Sequence, residues 1–234
     1  MTSKTGRSFG MLALERGLPP GTPYPLLPGT ILDPSVFNFP IIWETAEGAC
    51  VERVIPGDPT LEPAYVAAAR RLVERGAIAI GSTCGFAVRH QRAVAAAVNV
   101  PVAMSSLLLL SLLLRQLPSR SKIAVVTYDS THVGDDLLGI DNRAERARIV
   151  VGGTEGSEFW RDQQKVPIPP INAAAVEAEV SACVARLRAA NPEIAAIVFE
   201  CGYFPVAASA IRRTTGLPVY DNTSMCRMLL ESIA

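Results

Sequence analysis

Histidine is almost missing from this sequence: His90 and His132 are the only two in 234 residues. The five cysteines contain no C-x-x-C pair. A zinc-type centre therefore lacks suitably spaced ligands, and no metal is expected. Surplus charge is missing as well. Lys plus Arg and Asp plus Glu both number 22, so nothing electrostatic points to nucleic acid. No apolar run reaches membrane-spanning length. The most apolar stretch, Leu107–Leu114, is interrupted by Ser111 and closed by Arg115, which fits a buried helix and no membrane partner. The segment Met1–Gly17 has Lys4 and Arg7 but too short an apolar stretch for a signal-peptide core. The phosphate-binding patterns G-x-G-x-x-G and G-x-x-x-x-G-K-[ST] are both absent. The expectation is a cytoplasmic chain with reduced thiols and no cofactor.

What is present is an α/β pattern long enough for one large unit or two small domains. The Pro- and Gly-dense segment Pro19–Pro40 reads as a long loop, a candidate lid. Pro63–Arg75 has helical apolar spacing and stops at Gly76. Ala77–Ile80 reads as a buried strand, Gly81–Gly85 as a turn, Val88–Val98 as a helix and Val100–Met104 as a strand. The second half repeats the alternation. Lys122–Thr127, Ile194–Phe199 and Leu217–Tyr220 read as strands, and Ala173–Ala190, Val206–Thr215 and Ser224–Ile233 as helices. Such alternation argues for parallel sheets covered on both faces.

The halves are related by a faint duplication. Aligning Cys84 with Cys201 puts Cys84-Gly85-Phe86 over Cys201-Gly202-Tyr203. Pro101-Val102 then falls over Pro218-Val219, because each proline lies 17 residues beyond its cysteine. Ser105 and Ser106 fall opposite Asn222 and Thr223. A period of half the chain is too long for a solenoid and fits two α/β lobes about a pseudo-two-fold axis. In open parallel sheets ligands bind beyond the carboxyl ends of the strands. Both cysteines sit there, so the axis can bring the two thiols to opposite sides of one cleft.

Two facing thiols suit proton transfer at a carbon centre, one acting as base and the other as acid. Each precedes a predicted helix, whose N-terminus favours the thiolate and offers free N–H groups to an anion. Cys84 and Cys201 are the candidate catalytic pair. Gly85, Phe86, Gly202 and Tyr203 are candidates to hold a substrate carboxylate through backbone N–H groups. Ser82, Thr83, Ser105, Ser106, Asn222 and Thr223 are candidate side-chain donors. The glycine after each cysteine would let the backbone approach a ligand closely. Cys183 lies on an apolar helix face and reads as core, and Cys50 and Cys226 read as structural. His90, one or two turns into the helix after Cys84, and Glu200, directly before Cys201, could tune a thiol or have no such role, and His132, after the strand ending at Thr127, could reach the cleft from the second lobe or stay outside it.

At these residues the chain resembles the aspartate/glutamate/hydantoin racemase superfamily. The carrying segments are GSTCGFAVRHQ, VPVAMSSLL, KIAVVTYDS and IVFECGYFPVAASAIRRTTGLPVYD, with PGTILDPSVFNFP similar to one branch. The resemblance implies two Rossmann-like lobes, here 1–104 plus 217–234 and 105–216, with the site between them. It also implies cysteine acid/base catalysis without pyridoxal phosphate or metal, and a homo-oligomer, commonly a dimer. Thr83, Gly85 and Ser105 fall where the family binds carboxylate. Glutamate racemases usually show Asp-Ser near the first strand, Cys-Asn-Thr at the first cysteine and Cys-Thr-His at the second. Here those places read Leu14-Glu15, Cys84-Gly85-Phe86 and Cys201-Gly202-Tyr203. The bulky Phe86 and Tyr203 suggest a less polar pocket, for a hydantoin or an aryl-bearing acid.

The expected function is a cofactor-independent racemase or epimerase of a small carboxylate or hydantoin. A maleate-type isomerase or an arylmalonate-decarboxylase-like lyase is the alternative within the superfamily, though such decarboxylases keep only the second cysteine. A thiol hydrolase, which normally needs a partnering histidine, and a non-catalytic two-lobed binder are the alternatives outside it.

Overall fold

The computed structural model describes residues 6–19, 22, 27–31 and 33–233, so the expected lid over Pro19–Pro40 lies partly outside the described residues. Among the described residues, eight strands form two sheets. The first contains β1 (Ser8–Ala13), β2 (Ile41–Thr45), β3 (Ala77–Ser82) and β4 (Val102–Ala103), in the order β2-β1-β3-β4. The second contains β5 (Lys122–Thr127), β6 (Ile149–Gly153), β7 (Ile194–Phe199) and β8 (Val219–Tyr220), in the order β6-β5-β7-β8. Every pairing is parallel. Even the register irregularities match, falling at Ser8/Phe9 in one sheet and Lys122/Ile123 in the other. The faint repeat is thus a true structural duplication.

The central strands are apolar throughout because a parallel sheet is covered on both faces. All six residues of β1 are buried, as are the last five of β5. The covering helices supply apolar stripes at helical spacing. Helix Glu62–Glu74 buries Tyr65, Ala68, Ala69 and Leu72. Helix Ala173–Ala190, capped by the Asn172 side chain on Ala175 N–H, buries Val176, Val180, Cys183 and Val184. Among the described residues no helix is long and apolar enough to cross a membrane.

The lobes exchange their last helical segments. The 3-10 turn Ser106–Leu109 that follows β4 packs on β7, and helix Asn222–Glu231 that follows β8 packs back on β3 and β4. This corrects the expected boundary. Placing 217–234 in the first lobe fails for β8, whose Val219 and Tyr220 pair with Ile197 and Val198 of β7. The second sheet therefore extends to Tyr220, and only the final helix crosses over. Strands β2 and β6 escaped the sequence reading. Both are short edge strands, and the partial exposure of Ile41, Ile42 and Trp43 gives them no clean buried alternation.

The cysteine turns are where the lobes meet most tightly. Cys84 and Cys201 face each other in an isolated antiparallel bridge. A Cβ on Gly202 would collide with the Thr83 carbonyl oxygen, and one on Gly85 would lie 2.5 Å from the Glu200 carbonyl oxygen. Each glycine is needed because the other lobe's backbone occupies the space a side chain would take. Gly202→Ala should therefore lose about 2–3 kcal/mol of stability in urea unfolding, as overpacking against rigid backbone does. Gly6→Ala, where the added methyl meets nothing within 4 Å, is the control and should change little. Equal stability of the two variants would contradict the contact.

Candidate active site

Four strand ends converge on one cavity. The loop after β1 supplies Leu14 and Arg16, the turn after β3 Thr83, Cys84 and Phe86, the end of β5 Tyr128, and the turn after β7 Glu200, Cys201 and Tyr203. Both thiols line it. A doubly wound sheet leaves a crevice at the carboxyl ends of its middle strands, where successive connections part to opposite faces. Two such crevices, joined by the bridged cysteine turns, make one site. The cavity measures about 30 Å³, room for roughly two water molecules.

Both sulfurs are held as thiols. Burial, and next the negative charge of Glu200, push the Cys84 thiol up to about 12. Burial and Glu200 likewise push Cys201 well above its ordinary value. The helix-start N–H groups of Phe86 and Tyr203 pull the other way, as does Arg16, without winning. The expected thiolate-favouring effect of the helix starts is present but is outweighed by desolvation.

Glu200 is 1 % exposed. Its Oε2 accepts from Thr127 Oγ1 at 2.9 Å and from Tyr128 N–H at 3.3 Å. The N–H groups of Phe86 and Gly85 also pull its acidity midpoint down. Burial dominates these bonds and raises its acidity midpoint to about 7. The turn at Gly85 and Phe86, expected to hold a substrate carboxylate, therefore has the protein's own carboxylate against it.

A buried cation also lines the cavity. Arg16 is 9 % exposed, lines the cavity, and carries its guanidinium 5.8 Å from the centre of the Tyr203 ring. Its Nη2 donates to the Tyr203 hydroxyl at 3.4 Å. Beside it the cavity wall contains two polar atoms that are buried and without a hydrogen-bond partner, Thr83 Oγ1 and Gln163 Nε2. Buried polar groups are nearly always satisfied, so such a pair marks where a ligand's acceptors belong. The apolar part is formed by Phe86, Tyr128, Leu14, Val51 and Ile55. The Tyr128 hydroxyl donates away from the cavity to the Trp160 carbonyl at 2.8 Å, so Tyr128 presents its ring.

Of the residues singled out by sequence, Cys84, Cys201, Thr83, Phe86 and Tyr203 line the cavity. The others hold the site together. Ser82 Oγ accepts from Cys84 N–H at 3.3 Å and shapes the turn. Ser105 caps the following 3-10 turn through Leu107 N–H. Ser106 Oγ donates to the Phe199 carbonyl at 2.6 Å, and Asn222 Nδ2 donates to the Glu200 carbonyl at 3.1 Å, tying the lobes. Gly85 and Gly202 serve the bridge between turns. Ser82, Ser105, Ser106, Gly85 and Gly202, expected to contact substrate, do not line the cavity. His90 is buried against Tyr65, ring centres 4.7 Å apart, and His132 is exposed beside Thr131 and Asp129. Neither lines the cavity. Arg16, Gln163 and Tyr128 escaped the sequence reading. The available signal was position: Arg16 and Tyr128 follow the first strand of each lobe.

No family model matches the chain. A dimethylsulfoniopropionate lyase from Durusdinium sp. clade D is 31 % identical over 209 residues, covering 85 % of this chain and 67 % of that protein. The chain belongs to the dimethylsulfoniopropionate lyase family. A further member, dimethylsulfoniopropionate lyase 3 of Emiliania huxleyi, is 26 % identical over 243 residues, covering 97 % of this chain and 60 % of its own length. The chain spans 60–67 % of the length of these two relatives. Among solved structures, a glutamate racemase isoform from Bacillus anthracis superposes with a TM-score of 0.61 at 13 % identity, over 98 % of this chain and 82 % of that one. A cysteine-for-glycine variant of arylmalonate decarboxylase gives 0.58 at 18 % identity, over 96 % and 92 %. The fold is that of the aspartate/glutamate/hydantoin racemase superfamily, and the family is one of enzymes.

The raised Glu200 midpoint has a consequence for stability. Between the ordinary Glu value of 4.5 and about 7 the folded chain keeps a proton that the unfolded chain gives up. Stability therefore falls as pH rises through that window, by on the order of 3 kcal/mol. His90, held below its usual value by burial, contributes the opposite slope just below pH 6.5. The difference between wild type and Glu200→Gln isolates the carboxyl group. In urea unfolding the variant should gain on wild type between pH 5 and pH 8, and a constant difference would contradict the assignment.

Proposed function

We propose that this chain is a carbon–sulfur lyase. Its substrate is a small carboxylate with a sulfonium group on the β-carbon, as in the dimethylsulfoniopropionate for which its relatives are named. The observation that carries the reading is a single small cavity joining two thiols, a buried guanidinium and aromatic walls. Removing a proton α to a carboxylate builds enolate-like charge on the carboxylate oxygens. A preorganised cation and unpaired donors answer that charge where it develops. In this reading Arg16, Thr83 and Gln163 hold the carboxylate. The sulfonium faces the Tyr128 ring, whose face attracts a cation.

Cys201 is the base. Cys201 is part-buried, whereas Cys84 is buried at 9 % exposure. Its thiolate takes the α-proton, the electron pair of that bond becomes the carbon–carbon double bond, and the β-carbon–sulfur bond breaks. Dimethyl sulfide and acrylate result, with one proton released overall. Racemisation begins with the same abstraction but must return a proton to the opposite face. Elimination needs no such return, because the leaving group carries the electrons away. Cys84 forms the opposite wall and keeps the substrate's α-carbon against Cys201. A thiol hydrolase is disfavoured because the cavity offers no histidine.

Incubation with dimethylsulfoniopropionate should release dimethyl sulfide, measured by headspace gas chromatography, and acrylate, measured by NMR. Absence of both, with racemisation of chiral amino acids or hydantoins instead, would overturn the reading. Cys201→Ala should lower kcat by about 1000-fold, the scale of a general base, and Cys84→Ala by less. Equal losses would favour a two-base racemase. Arg16→Gln should raise KM roughly 10–100-fold, the worth of a charged hydrogen bond to a carboxylate. An unchanged KM would place the carboxylate elsewhere.

A further inference from the structure

The duplication is broken at one chemically decisive position. Thr83 precedes Cys84, and its counterpart before Cys201 is Glu200. The threonine hydroxyl is left without a partner, whereas the carboxylate is held by Thr127 and Tyr128. Glu200 also lines the cavity that holds both thiols. The charged and titratable groups that share this cavity with it are Arg16, Cys84, Tyr128, Cys201 and Tyr203. Arg16 balances one negative charge. Burial disfavours a second, so a thiolate and an ionised Glu200 do not coexist comfortably in so small a space.

We propose that Glu200 is the group that receives the thiol proton. As Cys201 becomes the thiolate, its proton passes to the Glu200 carboxylate, and the cavity keeps one negative charge throughout. The thiolate then takes the substrate's α-proton and is a thiol again when dimethyl sulfide leaves. The proton now on the neutral Glu200 is the one the elimination liberates, and its departure to solvent resets the site. Glu200 acts on the substrate only through the sulfur. The inference rests on the lyase reading for its chemistry, and on the lining of one cavity by Glu200 and both cysteines for its geometry.

Other features support the relay. Negative charge on Glu200 is the second cause, after burial, of the raised midpoints of both cysteines. The Glu200 midpoint of about 7 makes it the acid of the three that ionises first. A purely mechanical staple would need no such charge. A glutamine there would keep the size of the side chain while removing the ability to take a proton.

The test uses the full chain and Glu200→Gln, with folding checked by circular dichroism. With dimethylsulfoniopropionate, the variant should lose about 100-fold or more in kcat while KM changes by less than about 3-fold. Independently of activity, iodoacetamide should alkylate Cys84 and Cys201 roughly 10-fold faster in the variant than in wild type at pH 8, because the repelling charge is gone. Mass spectrometry identifies the labelled residues. A mechanical role would not lower the alkylation midpoint. A variant with kcat within about 3-fold of wild type and an unchanged alkylation profile overturns the proposal. If the variant does not fold, wild-type kcat decides: it should fall toward low pH with a midpoint near 7, and a flat rate from pH 8 to pH 5 overturns the relay. If wild type releases no dimethyl sulfide, the lyase reading fails by itself, and alkylation alone then supports or overturns the coupling of Glu200 to the thiols.

Discussion

The site depends on backbone packed against backbone. The turns Thr83–Gly85 and Glu200–Gly202 approach so closely that neither glycine has room for a methyl group. That approach sets Cys84 opposite Cys201 and closes the wall of the cavity. Exchange of the final helices and the Ser106 and Asn222 bonds across the lobes fix the two sheets around this contact. The interlobe contact is therefore part of the chemistry rather than a scaffold at a distance from it. Loosening it by a fraction of an ångström would separate the thiols and open the cavity to water.

Electrostatics follow from the same enclosure. Because the turns shut water out, both thiols and Glu200 are driven toward their neutral forms. A cation buried at the same place, Arg16, lowers the cost of holding one negative charge and no more. The cavity is thus built for one mobile proton among three acids. An incoming sulfonium carboxylate carries one charge of each sign. It can enter without changing that balance, which is a physical reason for this site to accept a zwitterion.

The repeat made much of this legible. Matching Cys-Gly and Pro-Val pairs at equal spacing were enough to infer two lobes and facing thiols, because a duplicated fold must place duplicated residues symmetrically. The role of the glycines was not legible. A sequence states that a side chain is missing but not whether a ligand or another turn fills the space. Ser105 and Ser106 were misread for a related reason: their position beyond a strand is visible, but the direction in which a hydroxyl bonds is not. Arg16 and Gln163 lie outside the repeated segments, so no internal comparison called attention to them. Substrate class was the least legible. Phe86 and Tyr203 suggested an aryl acid, but a ring wall serves an onium group equally well, and only family membership directs the choice to a sulfonium.

The claim on which everything rests is that the Cys84 and Cys201 sulfurs share one small space. A trivalent arsenical, which binds two thiols only when both reach one arsenic, reads this directly. One equivalent added to the native chain should protect Cys84 and Cys201 together from later alkylation under denaturing conditions, as seen by peptide mass spectrometry, and replacing either cysteine with serine should abolish protection of the other. Independent labelling of the two residues in the arsenical-treated protein would contradict the shared cavity.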